Sequence, residues 1–129
     1  MSGSSIYVRR ADCRRRDTPI ALVVIEADQL TPDERTARAL LSSRVPTALL
    51  SDPKQGDLAR LCQEHGCALA RAAVIATTQY GLPLLLEAAV ALTLRGAGYE
   101  NEAAADVVFK PRSSGGLTAA IEYACRLVA

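Results

Sequence analysis

Short unbroken apolar runs alternate along this chain with stretches whose apolar residues recur at helical spacing. The first clear run is Ile20 to Ile25, rich in β-branched residues, as in a strand buried on both faces. "TPDERTARALLSSR" then starts a helix. Thr31 is its N-cap, Pro32 its first residue and Glu34 the partner in a capping box. Ala37, Leu40 and Leu41 share one face of that helix. "VPTALLSD" (Val45 to Asp52) reads as a second strand, and "GDLARLCQEHG" as a second helix stopped by Gly66. "AAVIATT" is a third strand, "LPLLLEAA" a short helix, "VALTL" a fourth strand, "ENEAAA" a helical turn and "ADVVFKP" a fifth strand. Ser113 and Ser114 are positioned to cap a last helix over Leu117 to Val128, with Leu117, Ile121, Ala124 and Cys125 (or Leu127 and Val128) facing inward.

Strands and helices in strict alternation, joined by short links, predict an α/β fold. It has three layers around a mostly parallel Rossmann-like sheet. Residues 1–19 are polar and basic and read as a tail that adds at most an edge strand through "SIYVRR". Residues 20–129 form the single domain, and a chain of 129 residues suffices for such a core.

Ligands of parallel sheets bind beyond the carboxyl ends of the strands. Glu26, Asp28, Ser51, Asp52, Thr77, Thr78 and Lys110 all fall there. Two carboxylates one residue apart at the end of a buried strand, in "LVVIEADQL", are the main chemical signal.

Composition narrows the function further. A net charge of +1 gives no global field for nucleic acid or a membrane surface. The basic cluster Arg9 to Arg16 reads as a solvated arm. No apolar run reaches bilayer length and no signal-peptide core follows "MSGSS", so the expected location is the cytoplasm. Cys13, Cys62, Cys67 and Cys125 form no CxxC pair, and with His65 as the lone histidine they read as free thiols rather than zinc ligands.

The order of these motifs resembles the haloacid dehalogenase (HAD) superfamily, in particular its phosphatases of 3-deoxy-manno-octulosonate 8-phosphate and acylneuraminate 9-phosphate. "IEAD" stands where that family has Asp-x-Asp, and "ALLSD" supplies Ser51 as the hydroxyl ending the second strand. Lys54 stands as the family's lysine, and "ATTQYG" with "LPLLLEAA" as its acidic loop and the helix after it. "VALTLRGAGYENEAAADVVFKPRSSGGLTAAIEYACRL" is similar to the closing segment. The resemblance implies a HAD-like fold, with Ser51 and Lys54 as phosphate binders.

The departures carry the functional reading. Glu26 stands in place of the nucleophilic Asp, while Asp28 keeps the acid/base position. One extra methylene displaces the attacking oxygen, and misplacement near 1 Å costs about a hundredfold in rate. Thr77, Thr78 and Gly81 replace acids of the metal-binding loop. Magnesium wants carboxylates, so Glu26 and Asp28 would hold it only at low affinity, and no cofactor is expected. The family's flap hairpin after Asp28 and a helix–strand piece after Asp52 are missing.

The expectation is a degenerate phosphatase-like domain, non-hydrolytic, that binds a protein partner or its own copies or regulates. One alternative is an active magnesium-dependent phosphatase with Glu26 as nucleophile. A second is a receiver-like signalling domain with Asp52 as phosphoacceptor, which "FKP" before the last helix also fits. Tyr80 and Tyr99 are candidates for exposed rim residues suited to a protein contact.

Overall fold

The computed structural model describes Val8–Arg9 and residues 19–128. The rest of the basic arm, with Cys13, lies outside the described residues. Six strands form one sheet: β1 (Val8–Arg9), β2 (Leu22–Glu26), β3 (Thr47–Leu50), β4 (Ala72–Ala76), β5 (Val90–Leu94) and β6 (Val107–Phe109). Their order across the sheet is β1-β6-β5-β4-β2-β3. β2 through β6 run parallel, and β1 pairs antiparallel with β6 through Val8 opposite Val108 and Arg9 opposite Val107. The helices are α1 (Pro32–Ser42), α2 (Asp57–Glu64), α3 (Leu82–Glu87), α4 (Tyr99–Ala104) and α5 (Gly116–Cys125). The parallel, three-layer α/β architecture is the expected one.

Period-2 side-chain alternation divides the core between the two faces of the sheet. Val23, Ile25, Ala73, Ile75, Leu92 and Val107 point toward α1 and α5 and join their Leu41, Leu117 and Ile121. Leu22, Val24, Val74 and Ala91 point the other way, onto Leu58 and Leu61 of α2 and Leu84 and Leu85 of α3. Each buried Val, Leu or Ile side chain among them stabilises the fold by about 1.5–3 kcal/mol. This is why the strands read as unbroken apolar runs.

α1 starts as its sequence demands. Thr31 Oγ1 accepts from the Glu34 backbone N–H at 3.2 Å, and Glu34 Oε1 accepts from that of Thr31 at 2.9 Å. Leu40 departs from expectation: it is 65% exposed, while Ala37 and Leu41 carry the contact. At helical pitch it lies off the stripe that α5 covers. The second strand is shorter than its apolar run, because Val45 and Pro46 are spent leaving α1.

The last helix is shorter as well, ending at Cys125, with Leu127 and Val128 packed on the core beyond it. Ser113 and Ser114 do not cap it. They lie in a 3₁₀ turn, Arg112–Ser114, and Gly115 takes the cap position at φ 86°, a left-handed conformation that glycine adopts without strain. Gly116 is fixed by proximity: a Cβ there would sit 1.8 Å from the Lys110 carbonyl oxygen. Gly116→Ala should therefore push α5 off the end of β6. The expected loss is about 2 kcal/mol or more, read as a lower urea midpoint.

Candidate functional site

The chain leaves β2, crosses to β3 on one side, and returns to β4 on the other. The strand order therefore reverses between β2 and β4, and the crevice beyond their carboxyl ends is where an open α/β sheet holds its ligand. Glu26 ends β2, and Thr77 and Thr78 follow β4.

Glu26 fills this crevice. Its side chain is 2% exposed, and both carboxylate oxygens are engaged. Oε1 accepts from the backbone N–H groups of Thr77 and Thr78, each at 2.9 Å. Oε2 accepts from Thr78 Oγ1 at 2.8 Å. Thr77 Oγ1 donates to the Glu26 carbonyl at 2.8 Å. The two threonines after β4 thus donate hydrogen bonds to the carboxylate beside them.

The surrounding loop is built to fit. Thr78 Oγ1 also accepts from the Tyr80 N–H at 3.2 Å, capping the 3₁₀ turn Gln79–Gly81. Asn101, buried on α4, donates from Nδ2 to the Thr78 carbonyl at 2.7 Å. Gly81 closes the top. A Cβ there would lie 2.5 Å from Ala76 Cβ and 2.8 Å from Glu26 Oε1.

Asp28 is exposed and lines an open hollow of about 530 Å³ with Gln29, Leu30, Thr31 and Arg112. Arg112 forks the Glu34 carboxylate at 2.8 and 3.0 Å and donates to the Gln29 carbonyl. This contact holds the Glu34 carboxyl below its ordinary 4.5, with the Thr31 N–H adding, while burial opposes. It also pushes the guanidinium further up, and the charges of Glu26 and Asp28 add to that. The rim thus contains its own cation, lining the same hollow as Asp28.

The remaining candidates lie apart from this hollow. Ser51 is exposed, and Lys54 Nζ pairs with Asp52 Oδ2 at 3.1 Å, both side chains largely in solvent. Asp57 accepts from the Lys54 N–H at 2.8 Å, a contact that lowers its pKa. Neither Ser51 nor Lys54 lines the cavity beside Asp28. Tyr80 and Tyr99 are exposed.

Magnesium fits this donor set poorly. It demands hard oxygen ligands in near-ideal octahedral geometry. Glu26 has both oxygens committed to protein donors, threonines occupy the loop, and a guanidinium lines the hollow beside Asp28. Among the described residues no group of three or more His, Cys, Asp or Glu side chains is arranged to hold a metal ion.

Two residues that matter here carry no sequence signal. Arg112 reads as one more basic loop residue, and its partner Glu34 lies 78 positions upstream. Asn101 reads as a polar residue in a helical turn, although the loop it anchors is 23 positions away.

Neither a family model nor a curated protein sequence matches the chain. Solved structures do match its fold. One is 3-deoxy-D-manno-octulosonate 8-phosphate phosphatase from Moraxella catarrhalis, a complex with a magnesium ion, a phosphate ion and a KDO molecule. It has 14% identity and TM-score 0.63, with 84% of this chain and 87% of that chain covered. A putative HAD family hydrolase from Streptomyces avermitilis aligns at 16% identity and TM-score 0.59, covering 85% and 91%. A probable YrbI family phosphatase from Pseudomonas syringae aligns at 18% identity and TM-score 0.53, covering 84% of each chain. The fold is HAD-like, as the motif order implied.

Thr78→Val leaves a buried Glu26 oxygen without its donor. It should cost about 2 kcal/mol in urea unfolding, and Thr78→Ser should restore most of it. Glu34 has a lowered folded pKa, so its pairing stabilises the fold above about pH 4.5 and the benefit drains away as pH falls through the folded value. Arg112→Ala should therefore lower the urea midpoint at pH 7, and its gap from wild type should narrow as the pH drops below 4.5.

Proposed function

We propose that this HAD-like domain does not hydrolyse phosphomonoesters and acts instead as a binding, assembly or regulatory module for a protein partner or a second copy of itself. One observation carries the reading: the carboxylate at the nucleophile position is buried in a closed set of hydrogen bonds. An attacking oxygen must reach phosphorus in line, with a free lone pair and a metal or cation to offset the phosphate's charge. Glu26 Oε1 already accepts two N–H groups and Oε2 a hydroxyl. Opening that set would strand the donors of Thr77 and Thr78 as well as the acid.

The magnesium ion and phosphate seen with the Moraxella enzyme belong to that protein. For this chain they define the alternative. An active phosphatase would need Glu26 to swing out of its crevice and Asp28 to serve as acid/base. The receiver-like alternative has less support, because Asp52 follows the edge strand β3 and its carboxylate is paired with Lys54.

Purified protein should show no turnover of p-nitrophenyl phosphate with millimolar magnesium, and Glu26→Asp alone should not create it. Magnesium plus phosphate should leave the melting temperature unchanged, since a ligand of the folded state must raise it. Metal-dependent turnover that Asp28→Asn abolishes would replace this reading with the active enzyme.

A further inference from the structure

Away from the rim, the end of α2 holds an arrangement with chemistry of its own. The helix closes in a Schellman motif. Gly66, at φ 65°, takes the left-handed position, and its N–H donates to the Gln63 carbonyl at 3.2 Å. The Cys67 N–H donates to the Cys62 carbonyl at 2.9 Å. This motif brings together the side chains of the third-last helical residue and the second residue past the cap, usually as an apolar contact. Here both are cysteines. Cys62 is buried among Leu22, Val24, Leu58 and Leu61, with Cys67 half-buried against the same cluster, and both thiols are free.

We propose that Cys62 and Cys67 are a redox-modifiable pair that closes to a disulfide across the C-cap of α2 when the protein meets a small-molecule disulfide such as oxidised glutathione. The peptide-to-peptide hydrogen bond keeps the flanking Cα atoms close, as a disulfide's tolerated span of about 4.4–6.8 Å requires. Burial, the neighbouring Cys67 and the Glu87 carboxylate on α3 push the Cys62 thiol up to about 12, so Cys67, the more accessible, is the point of entry. Its thiolate attacks one sulfur of the oxidant, forming a mixed disulfide and expelling one glutathione thiolate, which takes up the proton Cys67 lost. Cys62 then gives its proton to solvent and attacks Cys67 Sγ, releasing the second glutathione. Two protein thiols are oxidised, and one external disulfide is reduced to two thiols. The bond would fasten the turn that leads through Leu69–Arg71 into β4, the strand whose far end carries Thr77 and Thr78.

The tryptic peptide Leu61–Arg71 contains both cysteines and neither Cys13 nor Cys125. Full-length protein would be treated with oxidised glutathione, its remaining thiols blocked with N-ethylmaleimide, and then digested. The expected peptide has lost two hydrogens, carries no maleimide, and regains its mass on treatment with dithiothreitol. Cys62→Ser should stall with glutathione on Cys67, and Cys67→Ser should leave Cys62 unmodified. A wild-type peptide that stays reduced, or keeps a glutathione adduct without closing, would overturn the proposal. So would glutathione on Cys62 in Cys67→Ser. The wild-type peptide decides the matter by itself if either variant fails to fold.

Discussion

A carboxylate removed from water must be hydrogen-bonded or neutralised, and the way Glu26 meets that requirement organises the rim of this protein. Its solution is local to the crevice between β2 and β4. Two main-chain N–H groups and one hydroxyl come from a single short loop. The loop is therefore committed to one shape, with Thr78 capping the following turn and Asn101 holding its carbonyl from α4. In open α/β sheets this crevice is the default place for a ligand. Here protein atoms occupy it, and the same contacts that satisfy the acid join the two strands at their ends.

A second interaction finishes the rim from the opposite face of the sheet. Glu34 closes the capping box of α1 and also receives the Arg112 fork from the turn before α5. One carboxylate thus fixes the start of one helix to the approach to another. It also leaves a positive charge in the hollow that Asp28 lines. In the Moraxella structure of the same fold a magnesium ion and a phosphate ion are bound. In this chain a guanidinium lines the hollow beside Asp28.

Much of the architecture was legible because its causes are local or periodic. The β2 and β5 runs announce strands buried on both faces, and Thr31-x-x-Glu34 announces the start of α1, since both partners lie within one turn. The placement of acids, hydroxyls and a lysine at the strand ends followed from topology alone. What escaped is set by contacts distant in sequence. Nothing near Arg112 identifies Glu34 as its partner, and nothing near Asn101 points to the Thr78 carbonyl. Ser113 and Ser114 resemble caps, but the close approach of Gly116 to Lys110 forces a 3₁₀ turn and passes the cap to Gly115. The identity of residue 26 was plain, yet the direction of its carboxylate depends on donors that lie 51 and 52 positions further along the chain.

The tight packing of Gly81 constrains how such a chain can change. With Glu26 in place, even an alanine at position 81 collides with its carboxylate and with Ala76. Shortening Glu26 first would withdraw the acceptor from three donors in a space that water scarcely reaches. Positions 26 and 81 are thus bound by one packing constraint, and the Ala76 contact keeps position 81 small whatever side chain stands at 26.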